Sequence, residues 1–210
     1  MDLILTNIGV LATPLGKQAQ TGHAQQEIFL REEMAVGIEG ETIAWVGPVG
    51  KAPEAKEVLD CRGSLVTPGL VDAHTHLIFG GWRQHEMAQK LAGMDYLDIL
   101  RAGGGILSTV QATRAASQKE LAAKGAELLG EMLSFGTTTC EVKSGYGLST
   151  REELKQLQVI RSLESIQPIE LVSTFMGAHA IPAEYKDDRA GYLALLCDEM
   201  LPAVWESGLA

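Results

Sequence analysis

The sequence predicts an α/β fold, with a small sheet domain in the first third of the chain and alternating strands and helices in the rest. Before about residue 85 the apolar runs are short and have no helical period. From Thr67 onward, apolar runs of strand length alternate with helical segments that begin at capping residues. Because strands that alternate with helices pair in parallel through right-handed crossovers, residues 67–210 are expected to contain a parallel sheet.

The N-terminal domain, residues 1–66, is predicted from three apolar runs. These lie at residues 3–5, 34–38 and 42–46. A short connection containing Gly40 separates the last two runs, which predicts a β-hairpin. Residues 13–26 are mostly small and polar and are typical of a loop.

Residues 67–210 contain strand candidates at 70–74, 138–142 and 170–176. Ser117 and Glu120 match a capping box that begins a helix, with apolar residues at helical spacing up to Gly136. A second capping box is predicted at residues 150–153 and a third helix at residues 192–204, where Pro202 is expected to kink or end it.

About three strand–helix units fit after Thr67, whereas a closed barrel of this kind has eight. The region is therefore either a small open sheet or the first, incomplete part of a (β/α)8 barrel. The last residues, 206–210, resemble a helix and do not provide a strand that would cover the edge of the sheet. We interpret residues 67–210 as part of such a barrel.

The composition predicts a soluble, cytoplasmic protein. Hydrophobic residues make up 46% of the chain, charged residues 21%, and the net charge of −10 is scattered rather than clustered. This argues against nucleic acid as a partner, since nucleic-acid surfaces need clustered Lys and Arg. The three cysteines do not resemble a disulfide framework, and Cys140 is expected in the core. We expect no secretory signal and no membrane span, which would need roughly 20 apolar residues.

His74 and His76 form the strongest chemical signal in the sequence. Residues two apart in a strand point the same way, roughly 6.5 Å apart, so both imidazoles can reach one cation such as zinc. Asp72 shares their parity and is expected to support one of them. An HxH pair can also arise by chance, but this one lies at the C-terminal end of a predicted strand, where barrel enzymes build their active sites.

Three further residues are candidates for binding a ligand. Arg83 follows Gly80 and Gly81, where a ligand can approach and a guanidinium can hold a carboxylate. Tyr146 and His179 each follow a predicted strand. The structural alternatives are a solvated surface arginine, a turn tyrosine and a core histidine bonded to the backbone.

The stretch over residues 68–76 reads PGLVDAHTH and resembles the first-strand signature of the amidohydrolase superfamily. The resemblance implies a metal-dependent (β/α)8-barrel hydrolase or deaminase, preceded by the N-terminal share of a small β-sandwich domain.

Within the superfamily, three more stretches resemble the imidazolonepropionase family. They are HLIFGGWR at 76–83, TTTCEVKSGYG at 137–147 and FMGAHA at 175–180. The resemblance covers essentially the whole chain, although members of the family are much longer. It implies hydrolysis of the small-molecule substrate 4-imidazolone-5-propanoate to N-formimidoyl-L-glutamate, and it suggests a homodimer.

The resemblance also implies residue roles. His74 and His76 match two ligands of one divalent metal ion, zinc or iron. The residues that match the substrate side are Arg83, Tyr96, Tyr146 and His179, the last also as a catalytic group. The remaining ligands and the acid/base residue are not found in the chain, so residues 1–210 alone are expected to be inactive. A cyclic deaminase, a hydantoinase-like enzyme and an inactive binding module are the alternatives.

Overall fold

A computed structural model describes residues 1–16 and 18–210 of the chain. The chain forms two compact units, Met1–Pro68 and Gly69–Ala210. Among its described residues the first unit contains strands and short 3₁₀ turns, and the second unit contains strands that alternate with helices. The fold is therefore α/β, as the sequence predicts. Within the described residues, no helix has both the length and the apolar character needed to cross a membrane.

The first unit is built from two small sheets. The four-stranded sheet has the order β5-β4-β1-β6 and the three-stranded sheet has the order β3-β2-β7. The strands are β1 (Leu3–Thr6), β2 (Val10–Pro14), β3 (Ile28–Arg31), β4 (Met34–Glu39), β5 (Thr42–Pro48), β6 (Glu57–Asp60) and β7 (Leu65–Val66).

The predicted hairpin is confirmed. Strands β4 and β5 pair antiparallel, with Glu39 opposite Thr42. Gly40, in the connection between them, has φ +58, a left-handed conformation that glycine adopts without strain. Ile8, Leu11 and Val36 form the buried core of this unit.

Four strands of this unit were not predicted. β2, β3 and β6 are four or five residues long and β7 has two residues. Every residue of β6 is exposed, so it has no inward-facing apolar alternation, and it is held by parallel pairing with the distant β1. Such strands depend on partners far away in sequence, which a local pattern does not reveal.

The second unit has a three-stranded parallel sheet in the order β10-β9-β8. The strands are β8 (Leu70–Thr75), β9 (Thr137–Lys143) and β10 (Glu170–Thr174). Both pairings are parallel, so the three carboxyl ends lie at one edge of the sheet. The strand predictions are confirmed, although the last strand ends at Thr174 rather than at residue 176.

The second unit also contains seven α-helices. They are α1 (His85–Leu91), α2 (Tyr96–Arg101), α3 (Ile106–Ala115), α4 (Gln118–Ser134), α5 (Thr150–Glu164), α6 (Arg189–Leu195) and α7 (Leu201–Ser207). The predicted capping box before α4 is confirmed, because Ser117 and Glu120 bond each other's backbone N–H groups. The three short helices α1–α3 were not predicted.

Two details of the helix prediction are corrected. Ser149 is the N-cap of α5 and makes no side-chain cap, so the predicted capping box at residues 150–153 is wrong. Its Glu153 binds a neighbouring loop instead. The third helix is continuous from α6 to α7 through a π-helical turn, Leu196–Met200, that comes just before Pro202. A proline has no N–H to donate, and the altered turn lets the chain remain helical past it.

Helices α4 and α5 pack against the sheet and form the largest core cluster. Their buried residues include Leu121, Leu129, Leu157 and Ile160, which belong to the same core cluster as buried Cys140 of β9. Full burial of one such leucine or isoleucine contributes about 1.5–3 kcal/mol. The core therefore gives the strand ends a rigid support, and Cys140 is a core residue as predicted.

Candidate active site

Three aromatic rings meet where the parallel strands end. His76 follows β8, Tyr146 follows β9 and His179 follows β10. The ring centroid of His76 lies 5.1 Å from that of Tyr146 and 4.3 Å from that of His179, and Tyr146 and His179 are 5.4 Å apart. The structure therefore brings together three of the residues that the sequence singled out.

Ser144 connects the three strand ends. Its side chain is buried, and its Oγ accepts a hydrogen bond of 2.9 Å from the backbone N–H of Met176. Its own N–H donates to the Thr174 carbonyl, and its carbonyl lies 2.9 Å from Nδ1 of His76. One small polar residue thus fixes β9, the segment after β10 and the histidine after β8. This role was not predicted, because these partners are far from Ser144 in sequence.

The Ser144 carbonyl also sets the tautomer of His76. A carbonyl only accepts, so Nδ1 carries the proton and Nε2 keeps its lone pair. Burial, followed by the charge of neighbouring His179, lowers the pKa of His76 to about 4, which leaves the ring neutral at pH 7. A neutral imidazole whose Nδ1 binds a carbonyl is the form that ligates a divalent cation through Nε2.

His74 lies two residues earlier, on β8, and is exposed. Its ring centroid is 5.8 Å from that of His76. Since each coordinating nitrogen lies about 2.0–2.1 Å from zinc, two rings at this separation fit around one cation. In the part of the chain that the structure describes, no group of three or more His, Cys, Asp and Glu side chains could hold a metal ion. The described residues therefore offer a pair of imidazole ligands.

Asp72 has a different contact from the one predicted. Its carboxylate accepts a hydrogen bond of 3.2 Å from the backbone N–H of His74, rather than holding an imidazole ring. The register of β8 against β9 shifts between Asp72 and Thr75. This irregularity disturbs the strict alternation on which the prediction depended.

His179 is held in the same way as His76. Its Nδ1 lies 3.2 Å from the carbonyl oxygen of Gly145, so Nδ1 donates and Nε2 is free to accept. Gly145 has φ +110, and a Cβ there would lie 2.8 Å from Cβ of His179. Only glycine fits this close approach. The bond to the backbone is the one expected of a structural histidine, and it also leaves one ring nitrogen available to a ligand.

A buried carboxylate organises the loop that carries Tyr146. Glu153 of α5 accepts hydrogen bonds of 2.7 to 3.0 Å from the backbone N–H groups of Gly145, Gly147 and Leu148. The Glu153 side chain is fully buried, and these three donors compensate its charge. Glu153 is thus a buried anchor of the site.

Gln156, one turn later on α5, completes this anchor. Its Oε1 accepts a 3.1 Å hydrogen bond from the N–H of Tyr146, and its Nε2 donates to the Ile78 carbonyl at 2.7 Å. Glu153, Gln156, Leu157 and Ile160 follow the spacing of one helix face. Neither polar residue was predicted to belong to the site, although two polar side chains on an otherwise apolar helix face are a signal that the sequence carries.

A cavity of about 240 Å³ opens beside His76 and Tyr146. It is lined by His76, Phe79, Gly81, Trp82, Arg83, Thr109 and Tyr146. Burial raises the pKa of the Tyr146 phenol, and the charge of Arg83 acts against that rise. The wall of this cavity therefore combines a cation, a protonated phenol, a neutral imidazole and two apolar rings.

Three predicted site residues lie outside this cavity lining. Tyr96 is 51% exposed at the beginning of α2, although it is near enough to Tyr146 to add to the rise in the pKa of the phenol. His74 and His179 are also absent from the lining. The predicted residues are thus divided between the cavity and its surroundings.

The two glycines before Trp82 have different reasons to be glycine. A Cβ at Gly80 would lie 2.3 Å from the Ala112 carbonyl, so Gly80 permits close packing against α3 rather than access for a ligand. Gly81 lines the cavity and has φ +67. Of the two glycines, Gly81 alone lines the cavity, and access for a ligand beside the pair stays a prediction.

Comparison with solved structures defines the class of fold. A variant of the atrazine chlorohydrolase TrzN from Arthrobacter aurescens TC1, complexed with zinc and atraton, matches with a TM-score of 0.51 and 19% identity. The match covers 81% of this chain and 35% of that chain. A triazine hydrolase from the same species matches with a TM-score of 0.50 and 18% identity, over 82% of this chain and 35% of that chain. The chain thus shares its α/β fold with these solved structures over about four fifths of its length.

Curated sequences give the nearer relationship. Imidazolonepropionases from Bacillus velezensis and Alkaliphilus metalliredigens are each 50% identical to the chain, over 100% of its length. The chain covers 50% and 51% of these two relatives, so it spans about half the length of the curated proteins that it matches. The chain is similar to these imidazolonepropionases over its whole length. No protein-family model matches the chain.

Proposed function

We propose that the chain is part of a metal-dependent hydrolase that opens the cyclic amide of 4-imidazolone-5-propanoate and yields N-formimidoyl-L-glutamate in histidine degradation. The observation that carries the proposal is the cavity in which Arg83 lies beside Tyr146 and His76. Its residue types suit a flat heterocycle with an anionic tail. The 50% identity to imidazolonepropionases supports the same reaction.

His74 and His76 are the proposed ligands of one divalent cation, zinc or iron. The neutral ring of His76, with Nδ1 bound to the Ser144 carbonyl, supports this role. A bound divalent cation would act as a Lewis acid toward water and toward the lactam carbonyl. A catalytic zinc generally has three protein ligands. We therefore propose that further ligands lie in a part of the complete protein that corresponds to the half of the relatives that this chain does not match.

Arg83 is proposed to bind the propanoate tail of the substrate. A guanidinium can hold a carboxylate through two parallel hydrogen bonds, which fixes the orientation of the ligand as well as its position. Tyr146 would contact the heterocyclic ring of the substrate next to the histidines. Tyr96 would contribute to substrate binding from the outer side of the cavity. This arrangement would hold the reacting amide in one orientation, which lowers the entropic part of the barrier.

His179 is proposed to stabilise negative charge on the carbonyl oxygen of the substrate during attack. Its Nδ1 already donates to the Gly145 carbonyl, so only Nε2 is left for the substrate. Nε2 donates a hydrogen bond when the ring is an imidazolium and accepts one when the ring is neutral. The proposed role therefore requires the charged ring during the reaction.

We further propose the larger architecture to which the chain contributes. The strands β8, β9 and β10 would be the first three of a (β/α)8 barrel, in a domain that begins near residue 67. The sheets of residues 1–66 would be the N-terminal share of a small β-sandwich. The cytoplasm is the proposed location and a homodimer the proposed assembly, with no nucleic-acid or membrane partner.

The decisive experiment is an assay of imidazolone absorbance with the complete product of the gene, supplied with zinc or iron. We expect loss of absorbance together with one equivalent of N-formimidoyl-L-glutamate. A cyclic deaminase would release ammonia from other substrates instead, and a binding module would bind without turnover. Neither alternative is favoured by a feature of the site.

A further inference from the structure

Lys124 of α4 is half-buried and contacts the loop that forms one wall of the cavity. Its ammonium lies 3.3 Å from the ring centroid of Phe79 and 3.8 Å from that of Trp82. The same Nζ donates a 2.6 Å hydrogen bond to the Gly81 carbonyl. Phe79 and Trp82 pack edge to face, with centroids 5.2 Å apart and planes at 89°. One cation thus contacts three of the residues that line the cavity.

This environment is unusual for a lysine, whose ammonium normally remains in water. Burial lowers the pKa of Lys124 to about 8. The two aromatic faces and the carbonyl acceptor contact the ammonium, which is the charged form of the side chain. The lysine is therefore mostly protonated at pH 7, and its charge attracts both rings.

The loop is fixed from two sides. The backbone N–H of Gly80 donates a 2.9 Å hydrogen bond to Thr113 of α3, and Lys124 holds Gly81 from α4. Helix α4 is a firm support, since Leu121 and Leu129 on it are buried in the main core. Arg83 follows directly after this anchored segment and is exposed.

We propose that Lys124 is a positioning residue for Arg83. By holding Phe79, Gly81 and Trp82 against α4, it fixes the end of the loop from which the guanidinium reaches into the cavity. Lys124 itself does not line the cavity. The inference that Lys124 affects carboxylate binding by Arg83 rests on the proposed function. The contact of Lys124 with Phe79, Gly81 and Trp82, which we call the clamp, does not depend on that function.

The hold of Lys124 on the loop is tested by the emission of Trp82 in a background of Trp45→Phe and Trp205→Phe, which leaves Trp82 as the only tryptophan of residues 1–210. Lys124→Met keeps the length of the side chain and removes its charge, so the emission maximum and intensity should change. Lys124→Arg should restore most of the original signal, because a guanidinium also binds aromatic faces. Lys119→Met, an exposed lysine on the same helix, is the control and should leave the spectrum unchanged.

The effect on Arg83 is tested with two ligands that differ in a carboxylate, imidazole-4-propanoate and 4-propylimidazole. Lys124→Met should weaken binding of imidazole-4-propanoate by roughly tenfold, the size of one lost hydrogen bond to a charged group. Binding of 4-propylimidazole, which lacks the carboxylate, should change less than twofold. If the original protein binds neither ligand, the proposed function fails, and the Trp82 emission still decides the clamp. Emission and affinities that are the same in Lys124→Met and Lys119→Met would overturn the inference.

Discussion

The rings of His76 and His179 stack face to face, with centroids 4.3 Å apart and planes 7° apart. Each ring donates its Nδ1 proton to a backbone carbonyl, His76 to Ser144 and His179 to Gly145. Two consecutive carbonyls after β9 therefore orient two histidines that follow the other two strands. Both rings keep Nε2 for a ligand. The loop after β9 therefore determines which nitrogen of each histidine is available at this edge of the sheet.

Metal binding is the first consequence to test. Replacement of both His74 and His76 with Ala should abolish stoichiometric zinc or iron in the complete product of the gene, because it removes the proposed imidazole ligands. Elemental analysis of the purified protein measures this. A double variant of His23 and His85, which lie outside the site, should keep its metal. Full metal content in a folded His74→Ala/His76→Ala protein would disprove the assignment.

Recognition of the carboxylate is expected to depend on the shape of the guanidinium. Arg83→Lys keeps the charge but loses the paired hydrogen bonds, and should lower kcat/KM by the equivalent of about 1.5–3 kcal/mol. Steady-state kinetics on 4-imidazolone-5-propanoate give the value. Arg151→Lys, at a highly exposed position, serves as the control. Kinetics equal to those of the unmodified protein would rule out this role for Arg83.

The loop that carries Tyr146 should depend on the carboxylate of Glu153. Glu153→Gln replaces one acceptor oxygen with a donor that faces backbone N–H groups, and is expected to cost about 1–3 kcal/mol of the free energy of unfolding. Urea denaturation followed by circular dichroism measures the loss. Glu164→Gln, near the exposed end of the same helix, should change stability by less than about 0.5 kcal/mol. Equal stability of the two variants would contradict the anchoring role.

The charge on Lys124 should titrate near pH 8, because burial lowers its pKa to about that value. Below this pH the ammonium holds Phe79 and Trp82, and above it the neutral amine loses its attraction to both rings. In the single-tryptophan background, Trp82 emission should therefore change with a midpoint near 8. The Lys124→Arg protein should show no such transition, since arginine stays charged throughout this range. A transition that persists in the arginine variant would belong to another group.

Much of the site was predictable because its chemistry lies at strand ends. The HxH pair and the residues after the next two strands could be placed at one edge from the alternation of strands and helices alone. Ser144, Glu153 and Gln156 could not be placed in this way, because each acts through backbone groups of a loop whose path the sequence does not specify. Arg83 was found by its residue type, but Lys124, which holds its loop, contacts it only through the tertiary structure.

The fold shows the same division. Long amphipathic helices such as α4 and α5 are predictable because their apolar residues recur at helical spacing. The start of α4 at Ser117 is also predictable, because it depends on local hydrogen bonds. Strand β6 and the short helices α1–α3 carry little local signal, and they form because distant segments pair or pack with them.

The most direct test of the proposed reaction is turnover of 4-imidazolone-5-propanoate by the complete product of the gene, compared with residues 1–210 alone. We predict turnover on the order of 1 per second or more for the complete product with zinc or iron. We predict none for residues 1–210, whose described part offers a pair of imidazole ligands and no larger metal group. Absence of turnover in the complete, metal-loaded protein would contradict the proposed function, and full turnover by residues 1–210 would contradict the proposal that further ligands lie elsewhere.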